Sequence, residues 1–189
     1  MPDTRLSRAL AAIDARNADD PHTIAVRGVQ RPKELAHAEL VTEWVRRLQP
    51  DPSEALLLAA RAHHIRRWEI PRSSYPDGNA GYHRWRRTLQ DFHARELRAI
   101  LEGESYDEST IARSETILRK RELASDPEVQ VLEDALCLVF LETQLVETAA
   151  KVGPEKAGDV LEKTLAKMSP RGRELARSFL PPLDADRLQ

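Results

Sequence analysis

The amino-acid sequence predicts an all-α protein. Apolar residues recur at helical spacing along most of the chain, and no segment alternates with the period of two expected of a half-buried strand. Only seven of the 189 residues are glycine, and a hydrophobic content of 41% beside a charged content of 32% suits a helix-rich globular chain. That length is enough for one well-buried core and short for two, so a single domain spanning 1–189 is expected.

The elements follow in order. Residues 4–16 carry Leu6, Leu10 and Ile13 at helical spacing, and "NADDP" stops them. A loop through Gly28 is expected next. "KELAHAELVTEWVRRL" sets His37, Leu40, Val41, Trp44, Val45 and Leu48 on one face of an amphipathic helix. "DPSE" starts another, with Ser53 or Asp51 as its cap and Pro71 marking its end. "SSYPDGNA" (73–80) is the clearest loop, and a helix over about 81–101 follows it. Asp107 caps a helix expected to run through Glu122. "SDPEVQ" puts a cap before an N1 proline and opens the most apolar helix, about 127–150. "GPEK" and "SPRG" open two short helices, for seven to nine in all.

Charge and cysteine content narrow the function classes. A net charge of −2 gives no overall attraction to nucleic acid or acidic lipid. Between Arg61 and Arg87, however, seven arginines stand against only Glu69 and Asp77. The single cysteine, Cys137, lies in "ALCLVFL" and should pack as a small apolar side chain. That run is far short of the roughly 20 residues of a membrane span, and no signal-like segment opens the chain. A cytoplasmic protein with no membrane partner is expected. Glycine-rich phosphate loops, nucleophile elbows and paired-cysteine zinc motifs are lacking.

Several polar residues interrupt apolar faces. His37 shares a stripe with Val41 and Trp44, His63 and His64 close "LLLAARA", and His93 shares a stripe with Leu97 and Leu101. Asp134 shares one with Leu138 and Leu141, where a buried carboxylate needs a cation, a metal or strong donors. Three histidine-bearing helices and a carboxylate on a fourth suit a divalent metal such as manganese, iron, nickel or zinc. A metal-free buried network of the same groups is the alternative.

The order His37, "LLAARAHHI", "FHARELRAIL", "LEDALCLVFLE" resembles the HD superfamily of metal-dependent phosphohydrolases over about residues 34–142. The resemblance implies a helical HD-like core there, with the helix at 4–16 and helices at 154–179 packed on it. It further implies His37, His63 and Asp134 as metal ligands, with His64 as a fourth ligand or a base near the attacking water. His64 stands where that family keeps the aspartate of its doublet, and Lys120 and Arg121 stand where two-metal members place a further histidine. "IDARNADDP", "HIRRWEIPRSSYP", "GYHRWR" and "FHARE" also resemble an uncharacterised family, the domain of unknown function 4202, over about 6–178. That family's pattern matches His64 and His93 and implies no activity.

Arg61, Arg66, Arg67, Arg72, Arg84, Arg86 and Arg87 interleave with Trp68, Tyr75, Tyr82 and Trp85. Guanidinium forks match phosphate oxygens, and aromatic faces can stack a base. Pairing with glutamates and stacking on tryptophan is the structural alternative for each arginine. His63 and Arg67, and His64 and Trp68, are four apart and would face together on a continuing helix. His22 and His83 read as surface residues.

Two expectations result. The first is a metal-dependent phosphohydrolase acting on a nucleotide or related small phosphoester. Here His64, His93 and Arg67 are catalytic, and Arg67, Arg72, Arg86, Trp68 and Tyr82 hold the phosphate-bearing substrate. The second is a non-catalytic domain binding a nucleotide, RNA or a protein through the same arginine and aromatic cluster.

Overall fold

The computed structural model describes residues 4–180, so the two ends of the expected 1–189 domain, 1–3 and 181–189, lie outside the described residues. The all-α class holds, with one small hairpin added.

Helix α1 (Arg5–Ala18) opens on a reciprocal cap: Thr4 Oγ1 accepts from the Ser7 amide at 3.1 Å, and Ser7 Oγ accepts from the Thr4 amide at 2.9 Å. The expected loop through Gly28 is instead an antiparallel hairpin, β1 (Thr23–Val26) and β2 (Val29–Pro32), in register from Thr23 opposite Pro32 to Val26 opposite Val29. Its two turn residues, Arg27 and Gly28, both take positive φ, as a type I′ turn demands. No residue of either strand is fully buried, which is why no alternation of apolar and polar residues announces it.

The hairpin hands the chain directly to α2 (Lys33–Leu48), whose bounds match the amphipathic stretch. Pro32 offers α2 no side-chain cap. Asp20 supplies one from before the hairpin: its carboxylate accepts from the Glu34 amide at 2.9 Å. The "DD" that stops α1 therefore also starts α2.

Helix α3 (Glu54–Ala62) is capped by Ser53 and is buried from Ala55 to Ala60 and at Ala62, so it sits at the centre of the core. Its expected continuation to Pro71 does not occur. The helix ends at Ala62, and Arg66 takes a left-handed conformation at φ 50°. The Asn17 side chain, fully buried on α1, holds that turn by accepting from the Arg66 amide at 3.0 Å. Arg66 is also fastened through its guanidinium to Glu69 and Glu96.

After two 3-10 turns comes α4 (Gly78–Gly103), longer than expected by about a turn. Helix α5 (Glu108–Leu118), capped by Asp107, ends a turn earlier than expected. Lys120 takes the left-handed position behind it, with its amide on Ile117 and the Arg121 amide on Thr116, the pairing of a Schellman motif. The expected single helix over 127–150 is two: α6 (Pro127–Thr143) and α7 (Leu145–Val152). Thr143 Oγ1 bonds back to the Val139 carbonyl at 2.7 Å, a contact that bends helices, and Gln144 departs from helical dihedrals. Helices α8 (Pro154–Leu165) and α9 (Pro170–Ala176) complete the set near the positions their proline signals gave. No helix among the described residues is long and apolar enough to cross a membrane.

The core lies between α2, α3, α5 and α6 around Val41, Leu56, Leu58, Ile117, Leu132 and Leu138, all fully buried or nearly so. Helix α4 covers one side of it with Leu97 and Leu101. Where α3 breaks against α2 and α4, the histidines meet.

Candidate functional site: a histidine cluster behind two arginines

His64 sits at the centre of four imidazoles. Its ring stacks on His37 of α2 with centroids 4.4 Å apart and on its neighbour His63 at 4.5 Å, and lies 6.1 Å from His93 of α4.

Each ring nitrogen can be followed to its partner. His64 Nε2 lies 2.9 Å from the Arg67 guanidinium, which can only donate, so that nitrogen carries the lone pair. Its proton is therefore on Nδ1, 3.1 Å from the carboxylate of Glu34 on α2. Both nitrogens of His64 are committed. His93, 3% exposed, donates from Nδ1 to the Ile65 carbonyl at 2.9 Å, which leaves a lone pair on Nε2. His93 Nε2, His37 Nε2 and His63 Nδ1 are buried without a hydrogen-bond partner.

The rings are neutral at ordinary pH. Burial pushes His37 and His93 down to about 4. It also carries His63 and His64 well below their ordinary value, with positive neighbours adding to the effect: Lys120 on His63, Arg67 on His64.

Arg67 lies over the Trp85 ring, 4.8 Å from its centroid, and burial lowers its pKa. Trp85 is pinned by its indole N–H on the Ile70 carbonyl at 2.9 Å. Arg86, on the next turn of α4, reaches the Tyr82 hydroxyl at 3.4 Å. Neither Arg67 nor Arg86 makes an ion pair with a carboxylate among the described residues; Arg67 reaches Glu34 only through His64. The two arginines line a small, partly open cleft of about 20 Å³ with His63, His64, His93 and Gln90.

The remaining arginines divide. Arg61 grips Asp14 on α1 in a two-pronged pair at 2.6 and 2.7 Å, and Arg66 is held by glutamates, so both are structural fasteners. Arg72 donates to the Tyr75 carbonyl and shapes the turn before α4 instead of lining the cleft. Trp68 does not line it either; the i,i+4 pairing with His64 fails because the helix has ended. Trp85 takes the supporting role, a residue recognisable in sequence as aromatic among arginines but not distinguishable there from Trp68. His22 and His83 are exposed, as expected. Cys137 is buried, its thiol pushed up to about 12 by that burial.

Asp134 requires the main correction. At 2% exposure it is buried, but its carboxylate accepts from the Ser169 amide at 2.8 Å, the Ser169 hydroxyl at 2.5 Å and the Gln130 amide at 3.0 Å. It anchors the start of α9 and is absent from the cleft lining. Its neighbour on α6, Glu133, is ion-paired to Lys120 at 2.7 Å.

The divalent metal implied by the HD resemblance finds donors here but not charge. Three imidazole lone pairs are available, yet Glu34 is bound to His64, Glu133 to Lys120 and Asp134 to Ser169. The cations Arg67 and Lys120 act on the same rings. A dication would meet like charge with no free carboxylate to offset it. Among the described residues no three such donors converge to hold a metal ion. No step is assigned to a metal.

No curated protein and no solved structure matches the chain. A family model described as a domain of unknown function (DUF4202) matches residues 7–188. That span takes in nearly the whole chain, including α2, the broken end of α3 and the cleft face of α4, and the chain belongs to this family.

Proposed function

We propose that the cleft binds the phosphate group of a small phosphate-bearing molecule. The observation behind this reading is the pair Arg67 and Arg86, two guanidiniums facing one cleft with no carboxylate partner among the described residues. Charged groups held in a partly desolvated cleft without a counterion attract one, and guanidinium forks match phosphate oxygens. Trp85 and the Glu34–His64 pair hold Arg67 in place before any ligand arrives, which reduces the ordering cost of binding. Tyr82, 42% exposed beside Arg86, offers an aromatic face to whatever the phosphate carries.

Calorimetric titration of the full chain with inorganic phosphate and with adenosine monophosphate, against sulfate-free buffer, tests the reading. Binding that weakens tenfold or more in Arg86→Ala supports it. An absence of heat with both ligands at millimolar concentration overturns it. Binding of single-stranded RNA with no mononucleotide binding would transfer the assignment to exposed Arg84 and Arg87 on the outer face of α4.

A further inference from the structure

One ring nitrogen in the cleft wall has a fixed polarity and no partner. His93 gives its Nδ1 proton to the Ile65 carbonyl at 2.9 Å, so its Nε2 presents a lone pair. That nitrogen is buried without a hydrogen-bond partner, on a residue only 3% exposed. Buried polar atoms are nearly always hydrogen-bonded, so this one is open to a donor on whatever fills the cleft. The donors beside it are directed elsewhere: Arg67 to His64 Nε2, Arg86 to the Tyr82 hydroxyl and the Gln90 amide to the Arg119 carbonyl. A second proton on the ring is opposed by burial and by Arg67 and Arg86. Only Glu34, already hydrogen-bonded to His64, acts the other way.

At about 20 Å³ the cleft has room for about one water, and so for one oxygen of a bound anion, with the rest of the anion on its open side. An oxygen seated there meets two kinds of group. The guanidiniums of Arg67 and Arg86 can only donate, and His93 Nε2 can only accept. A bare anionic oxygen suits the arginines but sets lone pair against lone pair at His93. A hydroxyl on the anion suits both.

We infer that the cleft selects oxyanions that carry a hydroxyl proton, such as hydrogen phosphate, over those that carry none, with His93 Nε2 as the discriminating group; this rests on the phosphate reading above. A monoester enters in its singly protonated form, whereas a diester or a sulfate has no proton to give. The other nitrogens of the cluster do not make this choice. His64 has both of its own committed, and His37 is not part of the cleft wall. His63 Nδ1 is unpartnered, but no hydrogen bond among the described residues fixes its tautomer, so it can meet an anion with a lone pair or a proton.

Phosphate and sulfate make a matched pair for the test. At pH 8 both are predominantly tetrahedral dianions, and only phosphate retains a proton. Calorimetric titration of the full chain with each should show phosphate bound tenfold or more tighter than sulfate, because a site built to accept from a hydroxyl rejects the analogue lacking it. His93→Asn keeps an amide N–H for the Ile65 carbonyl and withdraws the distal lone pair, so the preference should shrink at least threefold. Circular dichroism checks its fold. If it unfolds, His93→Gln should shrink the preference likewise, since its amide can turn an N–H towards a bare oxygen. A wild-type preference below tenfold, or one unchanged in a folded His93 variant, overturns the inference and leaves the two-arginine anion site standing. Failure of both anions to bind removes the phosphate reading as well.

Discussion

Arg67 donates to His64 Nε2 at 2.9 Å while Glu34 accepts from His64 Nδ1 at 3.1 Å, so one neutral imidazole joins a guanidinium to a carboxylate. The chain of contacts runs from α2, through the broken end of α3, to the Trp85 ring on α4. It explains how an arginine can be largely buried without a direct counterion. It also explains why His64 is useful where it stands: an imidazole can accept from Arg67 and donate to Glu34 at once, whereas an aspartate would pair with Arg67 and cancel its charge.

Glu34 is therefore the residue on which the arrangement depends. At 5% exposure, its removal strands the His64 Nδ1 proton and leaves Arg67 without compensating charge. Glu34→Ala should cost about 2–4 kcal/mol of stability, read from the urea midpoint. Glu34→Gln keeps an acceptor for the same proton and should recover about half of that loss. Equal losses in the two variants would show that shape, not hydrogen bonding, sets the effect.

The neutral histidines give a defined acid sensitivity. Burial holds His37 and His93 at about 4, against roughly 6.5 in the unfolded chain. Between those values the unfolded state binds protons that the native state refuses, so stability falls as pH drops from about 6.5 to 4 and is flat above that window. The loss is up to about 3 kcal/mol for each ring. Acidic groups contribute lower down: the Arg113 guanidinium pushes Asp126 to about 2, so its contribution fades only below pH 4. Urea midpoints at pH 7.5, 6.5, 5.5 and 4.5 read the histidine window before the acidic one is reached. A midpoint unchanged from 7.5 to 4.5 would contradict buried neutral rings.

Asp134 serves the C-terminal helices, and its loss should spare the cleft. Asp134→Asn weakens the cap on Ser169 and should cost about 1–2 kcal/mol. Phosphate affinity should stay within twofold. Gly172→Ala tests the same contact from the other side, because a Cβ there would fall 2.6 Å from the Asp134 carboxyl carbon. It should cost about 1–3 kcal/mol, with the cleft again unaffected. A tenfold fall in phosphate affinity in either variant would tie Asp134 to the site after all.

Much of this was legible in the residues, for uneven reasons. Helix α2 is readable to its bounds because its apolar stripe is one-sided. The break between α6 and α7 is not, because a helix apolar all round gives no periodicity in which a break could appear. The end of α3 escapes for a related reason: the cause lies in Asn17, a residue on α1 that no local pattern connects to Arg66. The histidines and Asp134 all stand out as polar residues on apolar faces. Only three-dimensional partners separate them, a backbone carbonyl for His93 and the Ser169 cap for Asp134.

The loop before α4 carries a final dependence. Gly81 stands inside the first turns of α4 against Pro76, and a Cβ built there would lie 1.9 Å from the Pro76 carbonyl oxygen. The obstructing atom is backbone, so neither side can yield by rotating a side chain. Gly81→Ala must displace either the 75–77 segment or the first turns of α4, and Tyr82, Trp85 and Arg86 follow within five residues. The expected cost is about 3 kcal/mol. Moving α4 also shifts Trp85 from beneath Arg67, so phosphate affinity should fall with stability in this variant, unlike in Gly172→Ala. Denaturation and phosphate titration of the two glycine variants side by side check this. A Gly81→Ala chain as stable as wild type would mean that the loop is not held against α4, and the case for a cleft ordered before ligand arrives would fall with it.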